Sequence, residues 1–131
     1  MNINVIQTDQ APAAIGPYSQ GIVAASWLFV SGQLGLQPKT GELAGPGFTS
    51  QARQALENLR QIVQAGGCSL KDVAAVDVFL TDMGNFAEFN KIYSEYFQDH
   101  RPARAVVEVR ALPRSAQVEI KCIACLRANS Q

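Results

Sequence analysis

Two charged residues stand inside apolar, strand-like stretches, and together their types could do chemistry. Arg104 interrupts Pro102-Ala103-Arg104-Ala105-Val106-Val107-Glu108-Val109, which otherwise reads as a buried strand. A guanidinium stays charged in a protein, and its planar fork of donors meets a carboxylate at two points. In an apolar setting that charge is costly unless an anion meets it. Glu119, in Val118-Glu119-Ile120, supplies the complement, a carboxylate able to position or move a proton. The pair implies a small pocket that grips an acidic metabolite and works on it with water. Spacing equally allows Arg104 to pair with a neighbouring acid of its own chain.

Other polar residues carry two readings each. Asn90 falls four residues after Phe86 and three before Tyr93, along the apolar face of a helix. A satisfied structural hydrogen bond accounts for it as well as a ligand contact does. Ser31 and Gln33 end a strand at Gly32, where turn chemistry competes with ligand approach. Tyr18 is either a packing aromatic or a lining residue. His100 reads as an exposed residue at a helix end, where its cation is favourable. Cys122 and Cys125 form a C-x-x-C in a strand pattern. A period of two sends them to opposite faces, so neither a chelate nor a redox dithiol is expected. Cys68 is likewise read as structural. The chain carries no nucleophile elbow, no phosphate-cradling glycine loop before a helix and no metal-ligand cluster, so no cofactor or metal is expected.

The elements that must position these residues follow from periodicity. Ile3 to Gln7 reads as a first strand, and Ile22–Ala25 with Leu28–Gly32 as a hairpin turning near Ala25-Ser26-Trp27. Gln37 to Gly47 is a Pro- and Gly-dense loop. Ala52, Ala55, Leu56, Leu59, Ile62 and Val63 form one stripe that predicts a helix over Thr49–Ala65, ended by Gly66-Gly67. Val73–Leu80 is a β-branched strand. A second helix is expected over Phe86–Asp99, with Asn85 and Glu88 spaced as a capping box. Phe86, Phe89, Tyr93, Tyr96 and Phe97 supply its buried stripe. Strands at Arg104–Arg110 and Gln117–Leu126 are expected to join through a hairpin connection at 111–116. The result is α+β, with two helices against one mixed sheet. Two helices cover only one face. The apolar residues of the other face then need a partner, and a homo-oligomer is the simplest.

Composition narrows the class. The chain has 131 residues, one domain's worth, with 11 basic and 11 acidic side chains and a formal net charge of zero. That balance argues against a dedicated nucleic-acid binder and offers little protection against self-association. The N-terminus lacks the basic start and long apolar region of a signal peptide. Gly21 to Val30, the longest apolar-leaning segment, is far too short to span a membrane. Three cysteines suit a reducing compartment, so a cytoplasmic protein without membrane partners is expected.

Six segments occur in order: Ala14-Ile15-Gly16-Pro17-Tyr18-Ser19-Gln20, Val30-Ser31-Gly32-Gln33, Gln51 to Leu59, Phe86-Ala87-Glu88-Phe89-Asn90, Pro102-Ala103-Arg104-Ala105, and Leu112-Pro113 with Val118-Glu119-Ile120. Over nearly its whole length the sequence resembles the reactive-intermediate deaminases, the RidA or YjgF-like (L-PSP) family of small enamine/imine deaminases. The resemblance implies a chorismate-mutase-like fold assembled as a homotrimer, with clefts between neighbours that bind small 2-keto and 2-imino acids. It implies that Arg104 holds the substrate carboxylate, that Glu119 positions the attacking water, and that Tyr18, Ser31 and Asn90 line the cleft. The implied substrates are 2-aminoacrylate and related enamines, released when pyridoxal-phosphate enzymes eliminate water from serine or threonine. No stable complex with those enzymes is expected. The products are a 2-keto acid and ammonia, made without cofactor or metal.

Two departures stand out. Where many relatives carry cysteine the chain has Val106, whose main-chain carbonyl is left to hold water. The segment between Asn90 and Arg104 is shorter than in some members, with Asp99-His100-Arg101 leading straight into Pro102. The same resemblance carries rival readings: a keto-acid-binding regulatory or chaperone-like trimer, or an endoribonuclease acting as translation inhibitor.

Overall fold

Alternation decides which side of each strand meets the helices. In β6, Val118–Cys125, the residues Val118, Ile120, Cys122 and Ala124 are buried while Glu119, Lys121, Ile123 and Cys125 turn the other way. Seven further elements complete the computed structural model, which describes residues 2–127: β1 Ile3–Ile6, β2 Gly21–Ala24, β3 Trp27–Leu34, α1 Phe48–Ala65, β4 Val73–Leu80, α2 Phe86–Phe97 and β5 Ala103–Glu108. The strands form one mixed sheet in the order β1-β2-β3-β6-β4-β5. All neighbours are antiparallel except β4 and β5, which run parallel with α2 as their crossover.

Both helices lie on the face toward which Leu28, Val30, Val76, Val78, Leu80, Val118 and Ile120 point. From α1, Ala52, Ala55, Leu56, Leu59, Ile62 and Val63 are all buried, the stripe expected from spacing. From α2, Phe89, Ile92, Tyr93 and Phe97 are buried. An aromatic ladder runs along this seam, with ring centroids 6.5 Å apart for Phe48–Phe89, 5.6 Å for Phe89–Tyr93 and 4.4 Å for Tyr93–Phe97. The opposite face carries no helix. Trp27, Phe29 and Val107 are exposed there, as are Ile3 and Val5 on the first strand. No helix among the described residues is long and apolar enough to cross a membrane.

The structure overturns four expectations. β5 and β6 are not a hairpin: β4 lies between them, and the chain at 111–116 crosses β4 to bring β6 between β3 and β4. β6 has an unbroken buried face and needs neighbours on both sides, whereas β5 carries Arg104 and Glu108 and takes the edge. For the same reason the stretch around Arg104 is no buried strand. Every residue of β5 except the half-buried Val106 is exposed in the single chain. The capping box is absent as well. A short 3₁₀ turn at Met83–Asn85 leads into α2 and gives Asn85 φ −90° and ψ 4°, too close to helical for its side chain to fold back. Glu88 instead accepts a hydrogen bond from the Thr49 hydroxyl at 3.1 Å. Helix α2 stops at Phe97, two residues short of Asp99, because Gln98 turns left-handed at φ 57°.

Candidate active site

Helix α2 and strand β5 together hold Arg104. Register places Arg104 beside Val76, on the helix side of the sheet. Its guanidinium carbon stands 4.7 Å from the centroid of the Tyr93 ring and 6.0 Å from that of Phe86. Such ring contacts are worth about 0.5–1 kcal/mol at a partly exposed site, and they leave the N–H fork unused. Arg104 forms no ion pair among the described residues, so the internal pairing that spacing allowed is not made. Asn90 shares the same cavity, of about 390 Å³, and its buried Oδ1 has no hydrogen-bond partner. The satisfied structural hydrogen bond that its position allowed is therefore missing. Tyr93, only 8% exposed, likewise buries an unpartnered Oη. Burial pushes its phenol up to about 12, against the opposing charge of Arg104, so the hydroxyl stays neutral and available as a donor.

His100 closes the end of this cavity. It is half-buried rather than exposed, and its Nε2–H donates to the Val73 carbonyl at 2.7 Å. The reversal at Gln98 folds the ring back over the sheet, which the expectation of a solvent-facing helix end did not allow for. Val106 packs half-buried against the core, and lines neither this cavity nor the next.

Glu119 lies elsewhere. Register with Leu34 and Phe79 sets it on the helix-free face, in a cavity of about 640 Å³ that also takes in Tyr18, Ser31, Gly32 and Lys121. Burial raises its carboxyl above the ordinary glutamate value, and the Lys121 ammonium opposes that rise. A Cβ on Gly32 would occupy the space of the Glu119 carboxylate, so only glycine lets that group lie against β3. A bulge between Val30 and Gln33 re-aims the strand at this point. Ser31 donates its hydroxyl to the Ser19 carbonyl, tying β3 to the loop that carries Tyr18. Tyr18 itself is 53% exposed.

One chain therefore brings Tyr18, Ser31 and Glu119 together, and separately Asn90 and Arg104, but does not bring the two groups to each other. They occupy opposite faces of the sheet with β4 between their strands. Among the described residues no group of three His, Cys, Asp or Glu is placed to hold a metal.

A family model described as Endoribonuclease L-PSP matches residues 8–126. The chain belongs to that family. Within it, a mouse 2-iminobutanoate/2-iminopropanoate deaminase is 48% identical over 92% of this chain and 89% of its own length. A RutC family protein of Pyrococcus horikoshii is 49% identical over 92% of this chain and 95% of its own. RidA of an Antarctic Psychrobacter superposes with a TM-score of 0.91 at 45% identity, covering 94% of this chain and 99% of that one. Escherichia coli TdcF, solved with bound serine, gives 0.90 at 41% identity over 95% and 99%. The mixed sheet with two helices on one face is the fold these family members share.

Three residues that serve this site escape a reading of spacing. Gly32 was visible only as a strand-ending glycine, and its contact with Glu119 depends on cross-strand register. Tyr93 read as core, and its ring proves to be the seat of Arg104. Gln20 is buried and holds the Tyr18 loop: its Oε1 accepts from Thr8 N at 2.7 Å while Nε2 donates to the Pro12 carbonyl at 2.7 Å. Nothing in its position within the 14–20 segment distinguishes it from a surface glutamine.

Proposed function

We propose that the protein hydrolyses small 2-imino acids to 2-keto acids and ammonia, in a cleft made by Arg104 of one chain and Glu119 of a second copy. The observation that carries this reading is the division of Arg104 and Glu119 between opposite sheet faces, each in an open cavity that the other does not line. The helix-free apolar face supports it, because a second copy seated there covers Trp27 and Phe29 and supplies the missing half. The deaminase names of the mammalian relatives support the reaction class.

The chemistry suits so plain a site. Arg104 fixes the substrate carboxylate by two charge-assisted hydrogen bonds, which sets the imine carbon against one water. Glu119 accepts a proton as the water oxygen bonds to that carbon and passes it to the imine nitrogen, which leaves Glu119 ionised again. The resulting carbinolamine collapses when its hydroxyl gives the second water proton to Glu119, the C–N bond breaks, and Glu119 protonates the departing nitrogen as ammonia. The balance is one imine and one water consumed, one ketone and one ammonia formed. A raised carboxyl is suited to both directions of transfer. Tyr18, Ser31 and Asn90 line the cleft.

The deciding experiment couples the protein to a serine or threonine dehydratase and follows keto-acid release against the uncatalysed rate. Acceleration that survives exhaustive chelation is expected. A second reading, ligand sensing without turnover, draws on the serine bound in TdcF. It requires Arg104 but not Glu119. Tight keto-acid binding with no acceleration of any small imine would establish it in place of hydrolysis.

A further inference from the structure

We infer that the α2/β5 cavity reads two carboxylates, with Arg101 as the counter-ion of the second, so that its ligands are 2-imino and 2-keto acids bearing a side-chain carboxylate. The inference rests on the function proposed above and deepens it, since Arg104 already takes the carboxylate beside the imine carbon.

The argument is one of charge and unmet polarity. Arg101 and Arg104 line the same cavity, and no carboxylate side chain lines it with them. Neither guanidinium forms an ion pair among the described residues. Both remain charged at any working pH, so the cavity presents two exposed cations without counter-ions of their own chain. A monocarboxylate on Arg104, with its imine carbon toward Glu119 of the second copy, leaves Arg101 without a counter-ion in this cavity. A dicarboxylate neutralises both. The cavity also offers Tyr93, 8% exposed, whose Oη has no partner. A neutral phenol hydroxyl is a donor, and it suits an anion that arrives between the two arginines.

The chain's geometry brings Arg101 to this cavity from a different element than Arg104. The left-handed turn at Gln98 folds residues 99–102 back toward β5, and His100 is pinned to Val73 by its Nε2–H. Pro102 then fixes the approach to β5, so Arg101 comes from the loop and Arg104 from the strand, on either side of one space. At about 390 Å³ the cavity has room for a diacid of four or five carbons.

Calorimetry with 2-oxoglutarate and 2-oxobutyrate tests this, because the two differ chiefly by the second carboxylate. Wild type is expected to bind 2-oxoglutarate about tenfold or more tighter, the gain of one charge-assisted pair. In Arg101→Gln that ratio should fall to about one or below, and Arg101→Lys should restore part of it, since an ammonium keeps the charge without the fork. Arg104→Gln should weaken both ligands together. Equal affinities in wild type, or a preference that survives Arg101→Gln, overturn the inference while leaving the proposed hydrolysis standing. A preference that follows Arg101 in a protein that hydrolyses no imine upholds the two-carboxylate site and removes the enzymatic reading. Failure to bind either acid removes both.

Discussion

A carboxyl that must take a proton from water and return it to nitrogen gains from being a stronger base than a solvated glutamate, and burial makes Glu119 one. Glu119→Gln keeps the size and loses the basicity. Hydrolysis is expected to fall by about two orders of magnitude or more, while 2-oxobutyrate binding, measured by calorimetry, stays within a few-fold. The acid limb of the wild-type kcat profile should lie above 4.5, the ordinary glutamate value, because the carboxylate is lost there. The same shift has a stability consequence of opposite sign to function. A carboxyl with a raised folded-state pKa binds its proton more tightly folded than unfolded, so folding stability falls as pH rises through that window. Glu119→Gln should therefore melt above wild type at neutral pH, with the difference shrinking toward pH 4. An unchanged melting temperature across that range would show that the carboxyl is not strained by burial. Gly32→Ala provides an independent check, since its methyl displaces the Glu119 carboxylate without touching its chemistry. It should lose most of kcat while 2-oxobutyrate affinity changes little.

Elements were legible in the sequence where the periodicity of one segment sufficed to define a face, and illegible where two distant strands had to be matched. The six apolar residues of α1 and the run Val73–Leu80 carry their own periodicity, and both lie where it puts them. Cys122 is buried and Cys125 exposed, as a period of two requires. The β5–β6 hairpin failed because proximity in sequence says nothing of which strand deserves the inner position. That choice belongs to the buried face of β6 against β4 and β3. The candidate residues were identified from motif and type, but their division between two sheet faces follows only from that strand order. Side chains that clamp loops were equally hidden. Asn58, wholly buried in α1, donates to the Leu34 and Leu36 carbonyls at 3.1 and 2.8 Å, and Gln51 joins Gly45 to Gln117. Gln20 performs the same task for the Tyr18 loop, so Gln20→Glu is informative. It keeps the acceptor toward Thr8 N but removes the donors toward Thr8, Ala11 and Pro12 carbonyls. A cost of about 1–3 kcal/mol in urea unfolding is expected from the orphaned buried groups. Steady-state kinetics should show KM rising more than kcat falls, because the loop lines the cleft and does not touch the transferred proton.

At the scale of the whole molecule, the uncovered sheet face and the divided site make one demand. Trp27 and Phe29 lie open on a face where the helices cannot reach, and β5 ends the sheet with an unpaired edge. A closed ring of like copies would satisfy both, and the family resemblance implies a trimer, expected by light scattering near three times 14.1 kDa. Mass alone does not say which chain supplies which half of the cleft, but mixing two dead proteins does. Arg104→Ala removes the grip and keeps Glu119; Glu119→Gln keeps the grip and removes the base. If each cleft takes Arg104 from one copy and Glu119 from the next, a cleft is whole when its arginine comes from the glutamine variant and its glutamate from the alanine variant. Random exchange at equal amounts makes each of those events an even chance, so about a quarter of clefts regain both groups. Imine hydrolysis should accordingly rise, on subunit exchange after mild denaturation, from near background to about a quarter of wild type. Each variant refolded alone should stay inactive. A mixture no more active than its parts would mean that both groups act within one chain, and the sheet between them would then have to be crossed by some rearrangement. Recovery near one quarter fits a site shared across neighbours, with every half-site intact.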